Sequence, residues 1–162
     1  MVVTTMAQTN SLVKKLRSNY SNFQFKEGDT FRWSPDKKTI YFPPDMSKQD
    51  EKILLHELAH ALLDHTDYDK DIELIHKESE AWEYAAETLS KRHNVAISED
   101  DIEETMNSYR DWLHKRSLCP ECFSNAPQQP KNTYKCIACG CSWRANDARI
   151  CELRRYKVIT TT

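Results

Sequence analysis

Glycine is almost missing from this sequence: Gly28 and Gly140 are the only two in 162 residues. A Gly-rich phosphate loop or a dinucleotide fingerprint needs several at fixed spacing, so nucleotide binding of that kind is excluded. Long apolar runs are missing too. The longest fall far short of the roughly 20 residues that span a bilayer, so no membrane helix is expected. The opening stretch, MVVTTMAQTNSLVKK, lacks a basic start followed by an apolar core, so no secretory signal is expected and the expected location is cytoplasmic. Cysteine is absent from the first 118 residues, and all six copies lie beyond them. In a secreted miniprotein six would suggest three disulfides. Clustered at one end of a chain without a signal, they suggest metal binding instead.

What is present is distributed unevenly. The formal net charge of −2 hides an acidic middle, since residues 45–104 carry six Lys/Arg against eighteen Asp/Glu. Residues 1–44 carry seven against three, and residues 110–162 carry ten against four. The sign changes close to the first cysteine, which puts a domain boundary near Ser117. The expected organisation is a first domain over 1–117 and a small cysteine-bearing domain over 118–162. No internal repeat or low-complexity tract interrupts either part.

Apolar periodicity predicts an α+β fold. Leu12, Val13 and Leu16 form one side of a short helix over 11–20. Phe23, Phe25, Phe31 and Trp33 alternate with polar residues, the period-2 pattern of half-buried strands. A turn over Ser34–Lys38 leads to a strand over 39–42, which Pro43-Pro44 ends. Ser47, followed by Asp50 and Glu51, reads as the N-cap of a helix running to about Leu63. Further helices are expected over 72–92 and from Ser98 to about Lys115, with Asp100 and Asp101 favouring the last start.

The strongest signal is His56-Glu57-Leu58-Ala59-His60. Histidines four apart on a helix project from one face, so both imidazoles can reach one Zn²⁺ while Glu57 addresses a water on it. Ile53, Leu54, Leu55, Leu58, Ala61, Leu62 and Leu63 make this a core helix, where polar groups without partners would be costly. A catalytic zinc needs a third protein ligand and an open position for water. His65, His76, Glu78, Glu80 and Glu83 are the candidates downstream. His65 lies about 140° round a helix from His60, so it can approach the site only if the chain turns first. Glu78 and Glu80 sit on the next long helix at a distance that lets it return antiparallel, and spacing does not separate them. With such a ligand set a bound water's pKa falls from about 15.7 towards 7. Glu57 then serves as general base and passes the proton to the leaving amine. His65, His76 and Tyr84 are candidate oxyanion donors, and the strand over 39–42 is a candidate edge for an extended peptide.

The stretch HELAHALLDH, followed by Glu78-Ser79-Glu80-Ala81-Trp82-Glu83-Tyr84-Ala85-Ala86, resembles the ImmA/IrrE-type metallopeptidases of bacteria and their phages. Those proteins show HExxH followed by a helix of the form E-x-x-A-x-x-F-A-A, whose first Glu is the third zinc ligand. The resemblance implies a zincin-like domain with His56, His60 and Glu78 on a catalytic zinc, Glu80 being the alternative third ligand, and Glu57 as the catalytic residue. It also implies a zinc-dependent endopeptidase whose protein substrate is a DNA-binding repressor of a phage or mobile element. Two departures stand out: Trp82 replaces the usual Asn or Asp, and Thr88-Leu89-Ser90-Lys91 stands where the family usually has Leu-Leu-Met-Pro. The alternatives are a SprT-like protease acting at DNA, whose third ligand is a histidine (here His65 or His76), and a non-catalytic zinc-binding interaction module. Glu57 argues against the latter, since a docking site has no need of a base.

Cys119-Pro120-Glu121-Cys122 and Cys136-Ile137-Ala138-Cys139 are two C-x-x-C knuckles separated by thirteen residues. Their four thiolates complete a closed tetrahedral zinc site, which leaves no position for water and is therefore structural. Such a site replaces the hydrophobic core that about 45 residues do not build alone. Cys141 is a less favoured substitute for Cys139, and Cys151 is expected as a small core residue. The expected cofactors are thus two zinc ions, one catalytic and one structural. Basic residues with interleaved aromatics around the ribbon add a weak nucleic-acid contact to the expected partners; no membrane partner is expected.

Overall fold

A computed structural model describes residues 10–147 and 152–158. Cys151 and Arg149, which the sequence places in the ribbon, lie outside the described residues. Among the described residues, five α-helices and seven strands follow one another: α1 (Ser11–Asn19), β1 (Gln24–Glu27), β2 (Arg32–Ser34), β3 (Thr39–Phe42), α2 (Glu51–Leu62), α3 (Asp71–Tyr84), α4 (Ser90–His93), α5 (Glu99–Ser117), β4 (Gln128–Gln129), β5 (Thr133–Lys135), β6 (Ser142–Ala145) and β7 (Arg155–Lys157). No helix among them is long and apolar enough to cross a membrane. The fold is α+β. It forms two compact units, one comprising the residues up to Thr66 with Lys77–Ile102, the other Asp67–His76 with the residues from Glu103 onward.

In the first unit β3 is the middle strand of a three-stranded sheet, parallel to β1 and antiparallel to β2, with Trp33 opposite Ile40. Both edges of β3 are therefore paired, and among the described residues the outer edges of this sheet belong to β1 and β2. The expectation that residues 39–42 offer a peptide-binding edge is corrected by this strand order. Local alternation carries no information about which strand ends up central. Leu12, Val13 and Leu16 of α1, Ile40 and Phe42 of β3, and Leu54, Leu55 and Leu58 of α2 are buried together with Ala81, Ala85 and Leu89. Each fully buried aliphatic side chain of this kind contributes about 1.5–3 kcal/mol.

Two helix starts contrast. Ser98 caps α5 reciprocally: its Oγ accepts the Asp101 amide at 3.1 Å while its own amide donates to Asp101 Oδ2 at 3.1 Å. That is a capping box with Asp in place of Glu. At α2 the expected cap at Ser47 is displaced. Its amide and hydroxyl both donate to Asp50 Oδ2, at 2.9 and 2.6 Å, and α2 begins only at Glu51. The expected single helix over 72–92 is interrupted by one wide π-type turn over Ala85–Leu89 before α4.

In the second unit β4-β5-β6-β7 form an antiparallel sheet, with Tyr134 stacked on Trp143 at 5.6 Å between ring centroids. Beneath these rings a charge pair is fully enclosed. Arg116 Nε donates to Asp71 Oδ2 at 2.7 Å, the Tyr134 hydroxyl donates to the same oxygen, and Gln128 Oε1 accepts the Asp71 amide at 2.7 Å. Asp71 and Arg116 are each only 1% exposed. Trp143 Nε1 donates to the Arg116 carbonyl at 3.0 Å, and the guanidinium lies over the Trp112 ring. Removing one partner from a buried pair strands the other charge, at about 3–5 kcal/mol. Asp71→Ala is therefore expected to lower the urea midpoint of the second unit, measured by near-ultraviolet circular dichroism.

His93 is buried in the first unit, with its Nε2 3.1 Å from the Tyr20 hydroxyl and its Nδ1 unpartnered. Burial, reinforced by Lys15 and Arg92, holds its pKa below the ordinary imidazole value. The unfolded chain then binds the extra proton first as pH falls below about 6.5. Stability is expected to be full above that pH and to decline below it. His93→Phe should shrink the difference between urea midpoints at pH 7.5 and pH 5.5.

Candidate metal centres

Helix α2 is apolar nearly all round, so it packs inside the first unit and carries its polar side chains in with it. Leu54, Leu55, Leu58 and Ala59 are fully buried, and His56 and His60 are only 5% and 8% exposed. The four-residue spacing puts both imidazoles on one side of the helix, with ring centroids 4.6 Å apart. Glu78 on α3 is 6% exposed and completes the group: Nε2 of His56 is 3.2 Å from Glu78 Oε2, and Nε2 of His60 is 3.5 Å from Glu78 Oε1. One donor atom from each of the three residues lies within 4.8 Å of the others.

These approaches are close but poorly directed for hydrogen bonding. Nε2 of His56 and Oε2 of Glu78 are both buried without a hydrogen-bond partner. Such orphaned atoms normally cost about 1–3 kcal/mol each. Lone pairs that converge on one point instead of on one another are what a cation requires, so the residues present fit a metal with two nitrogen ligands and one oxygen ligand. Electrostatics point the same way. Burial pushes the His56 pKa down, but Glu57 and Glu78 outweigh it and hold it at about 9. Burial pushes Glu78 up, and the two histidines outweigh that, holding its carboxyl well below the usual range. The pocket thus stabilises positive charge at the point where the three groups meet.

Glu57 turns away from that point by one step of the helix. Its Oε2 accepts the backbone N–H of Trp33 at 2.7 Å, and its Oε1 lies 3.6 Å from Nδ1 of His56. The outward-facing amide of the edge strand β2 therefore anchors the carboxylate, a role for residue 33 that sequence reading misses because a backbone donor leaves no residue signature. Trp82, where the resemblance leads one to expect Asn or Asp, stacks flat on His56, with ring centroids 4.2 Å apart and planes 13° apart. Stacking thereby covers one face of that ring.

The remaining candidates fall elsewhere. Glu80 has a 63% exposed side chain and faces Nε2 of His65 at 3.3 Å. His65 is buried against Nδ1 of His60 at 2.8 Å and lies behind that ring. Burial, with His60 adding, lowers its pKa. His76 and Glu83 are exposed on α3, and Tyr84 is half-buried.

The second group is Cys119, Cys122, Cys136 and Cys139, whose sulfurs lie within 4.8 Å of one another. Sγ of Cys119 is 3.6 Å from that of Cys139, and Sγ of Cys122 is 3.5 Å from that of Cys136. Each knuckle closes in the same way: the Phe123 amide donates to the Cys119 carbonyl at 3.1 Å, and the Gly140 amide to the Cys136 carbonyl at 3.0 Å. Both closing residues are left-handed, Gly140 at φ 76° and Phe123 at φ 59°, so the first knuckle puts a bulky residue where glycine is the easy choice. Hydrogen bonds from Ser124 draw the Cys122 thiol down to about 6. Cys141 lies outside the foursome and packs beside the Tyr134–Trp143 core.

Comparison with curated proteins and with solved structures finds no match for the chain in either. Residues 14–129, well over half of the sequence, match the family model Peptidase_M78, described as an IrrE N-terminal-like domain. The match spans the HELAH helix, the Glu78 helix and the sheet that anchors Glu57, and the chain belongs to this family of IrrE/ImmA-type metallopeptidases.

Proposed function

We propose that the protein is a zinc-dependent endopeptidase in which His56, His60 and Glu78 hold the metal and Glu57 is the catalytic base. The observation that carries this reading is the convergence of three buried donor atoms, two of them orphaned, beside a carboxylate held independently by the Trp33 amide. A zinc ion held there supplies Lewis acidity, which lowers the pKa of a water and polarises a carbonyl. Glu57, 15% exposed at its side chain and 3.6 Å from Nδ1 of His56, is read as the base that takes that water's proton. As the carbon–oxygen bond forms and the peptide C–N bond breaks, the same carboxyl returns the proton to the departing amine, so the base ends the cycle ionised. The Trp33 N–H keeps Glu57 aimed through both transfers.

The substrate is read as a DNA-binding repressor of a phage or mobile element. The resemblance supports this, and so does the acidic stretch over 45–104, which suits a basic partner. The four cysteines are read as a closed structural zinc site, and thiolates kept reduced on a metal suit a cytoplasmic location. Any nucleic-acid contact of the ribbon is read as weak. Lys157 is paired with Glu121, Arg155 is tied to the Leu118 carbonyl, and Arg144 lies over the Tyr156 ring, which leaves few free cations on β6 and β7.

Incubation with the repressor encoded beside this gene tests the reading. Wild type is expected to cleave it, and Glu57→Gln to cleave about 10²–10⁴-fold more slowly with unchanged zinc content. Equal processing by both proteins would refute the assignment of the base. Zinc per chain is expected to be two, falling to one in Cys136→Ser and to one in a His56→Ala/His60→Ala double variant, by atomic emission. A chelator strong enough to strip only the His/Glu site should abolish cleavage while leaving the ribbon zinc in place.

A further inference from the structure

The way α2 ends brings a third histidine to the site. Asp64 adopts a left-handed φ of 54°. Its amide donates to the Ala61 carbonyl at 3.3 Å, and the amide of His65 donates to the His60 carbonyl at 3.0 Å. These two bonds form a Schellman turn, with aspartate at the position that glycine usually takes. The chain reverses within two residues and lays the His65 ring against the His60 ring, Nδ1 to Nδ1 at 2.8 Å. The Trp33 indole N–H donates to the His65 carbonyl at 2.9 Å, which fixes the backbone from the other side. The far nitrogen of His65, Nε2, is 3.3 Å from Glu80 Oε2 on α3.

The protons along this line have one consistent arrangement. Nε2 of His60 is the atom that faces Glu78. A neutral imidazole that offers Nε2 to a cation carries its proton on Nδ1. The atom placed to accept that proton is Nδ1 of His65. The proton of His65 then sits on Nε2, towards the Glu80 carboxylate. Every link has one donor and one acceptor, and all point the same way. Partners behind a ligating histidine commonly fix its tautomer and ring angle.

We infer that His65 is a positioning residue for His60, and that Glu80, His65 and His60 form a hydrogen-bonded line which fixes the orientation and tautomer of a metal-holding imidazole, ending on a solvent-facing carboxylate. The inference rests on the proposed metal site and adds to it a role for two residues that do not touch the metal. It also explains why a histidine occupies a buried position at a helix end, where an aliphatic side chain would pack without needing partners.

A purely packing role and the positioning role make opposite demands at residue 65. Leucine satisfies packing and offers no acceptor. Asparagine packs worse but places its carbonyl oxygen close to where Nδ1 of histidine stands. The test uses the full-length protein, with zinc affinity measured by competition against a chromophoric chelator and the Co²⁺-substituted site followed by visible absorption. His65→Leu is expected to weaken zinc at the His/Glu site by about 10–100-fold, leaving the four-cysteine site unchanged. His65→Asn should lose less than about tenfold and keep the cobalt spectrum. Glu80→Gln, a surface change that does not threaten folding, should shift affinity in the same direction as His65→Leu by a smaller factor. The inference is overturned if His65→Leu binds as tightly as wild type, if His65→Asn is the weaker of the two, or if Glu80→Gln changes nothing. A wild-type protein that takes up zinc only at the cysteines overturns both this inference and the metal-site reading. The missing second zinc distinguishes that case from the others.

Discussion

Burying two imidazoles on the largely apolar α2 against a carboxylate from α3 is the constraint on which the first unit is arranged. Helix α2 carries His56 and His60 into the interior because the leucines around them leave it no solvent-facing side broad enough to hold them outside. Once inside, each nitrogen must find a partner or remain an unfavourable orphan. Glu78 meets both rings from α3, Trp82 covers the face of one, and His65 takes the outer nitrogen of the other. What stays unpartnered, Nε2 of His56 and Oε2 of Glu78, lies where the three side chains converge. Of the buried polar groups in this unit, the two imidazoles and the carboxylate lie together. They gather at one point, and the sheet supplies one more donor, the Trp33 amide, to hold Glu57 beside it.

The second unit solves a different problem by related means. Its sheet is short and its apolar core is small, built on Tyr134, Trp143 and two of the cysteines. Beside it lie four cysteine sulfurs within 4.8 Å of one another and one buried ion pair. Asp71 serves as the hub there, receiving the Arg116 guanidinium and the Tyr134 hydroxyl on one oxygen. A buried pair of this kind is weak evidence of net stabilisation against an apolar replacement. Its bonds tie Arg116 of α5 and Tyr134 of β5 to one carboxylate oxygen at the start of α3.

How much of this was legible in the sequence depends on how far apart the interacting residues lie. The facing of His56 and His60 follows from four-residue spacing on any helix, and the C-x-x-C knuckles follow from two-residue spacing in any tight turn. Glu78 was legible through the family pattern, while spacing alone left Glu80 level with it. The strand over 39–42 was legible as a strand, but not as the central one, because strand order is settled by pairings that local alternation does not encode. The contact of His65 with His60 was hidden for a subtler reason. The turn that creates it places a left-handed backbone at Asp64, and without a glycine there the sequence carried no sign of the reversal.

Local periodicity and side-chain chemistry, then, determined the helices, the candidate ligand types and the two separate metal-binding patterns, because each is written within a few residues of chain. Tertiary structure alone decided which carboxylate joins the histidines, which backbone amide steadies Glu57, and what stands behind His60. It also brought Asp71 to Arg116 and Tyr134, 45 and 63 residues away. The physical reason is the same in each case. A buried polar atom takes whichever partner folding brings within about 3 Å, and short hydrogen-bond range makes that choice a property of packing and not of sequence neighbourhood.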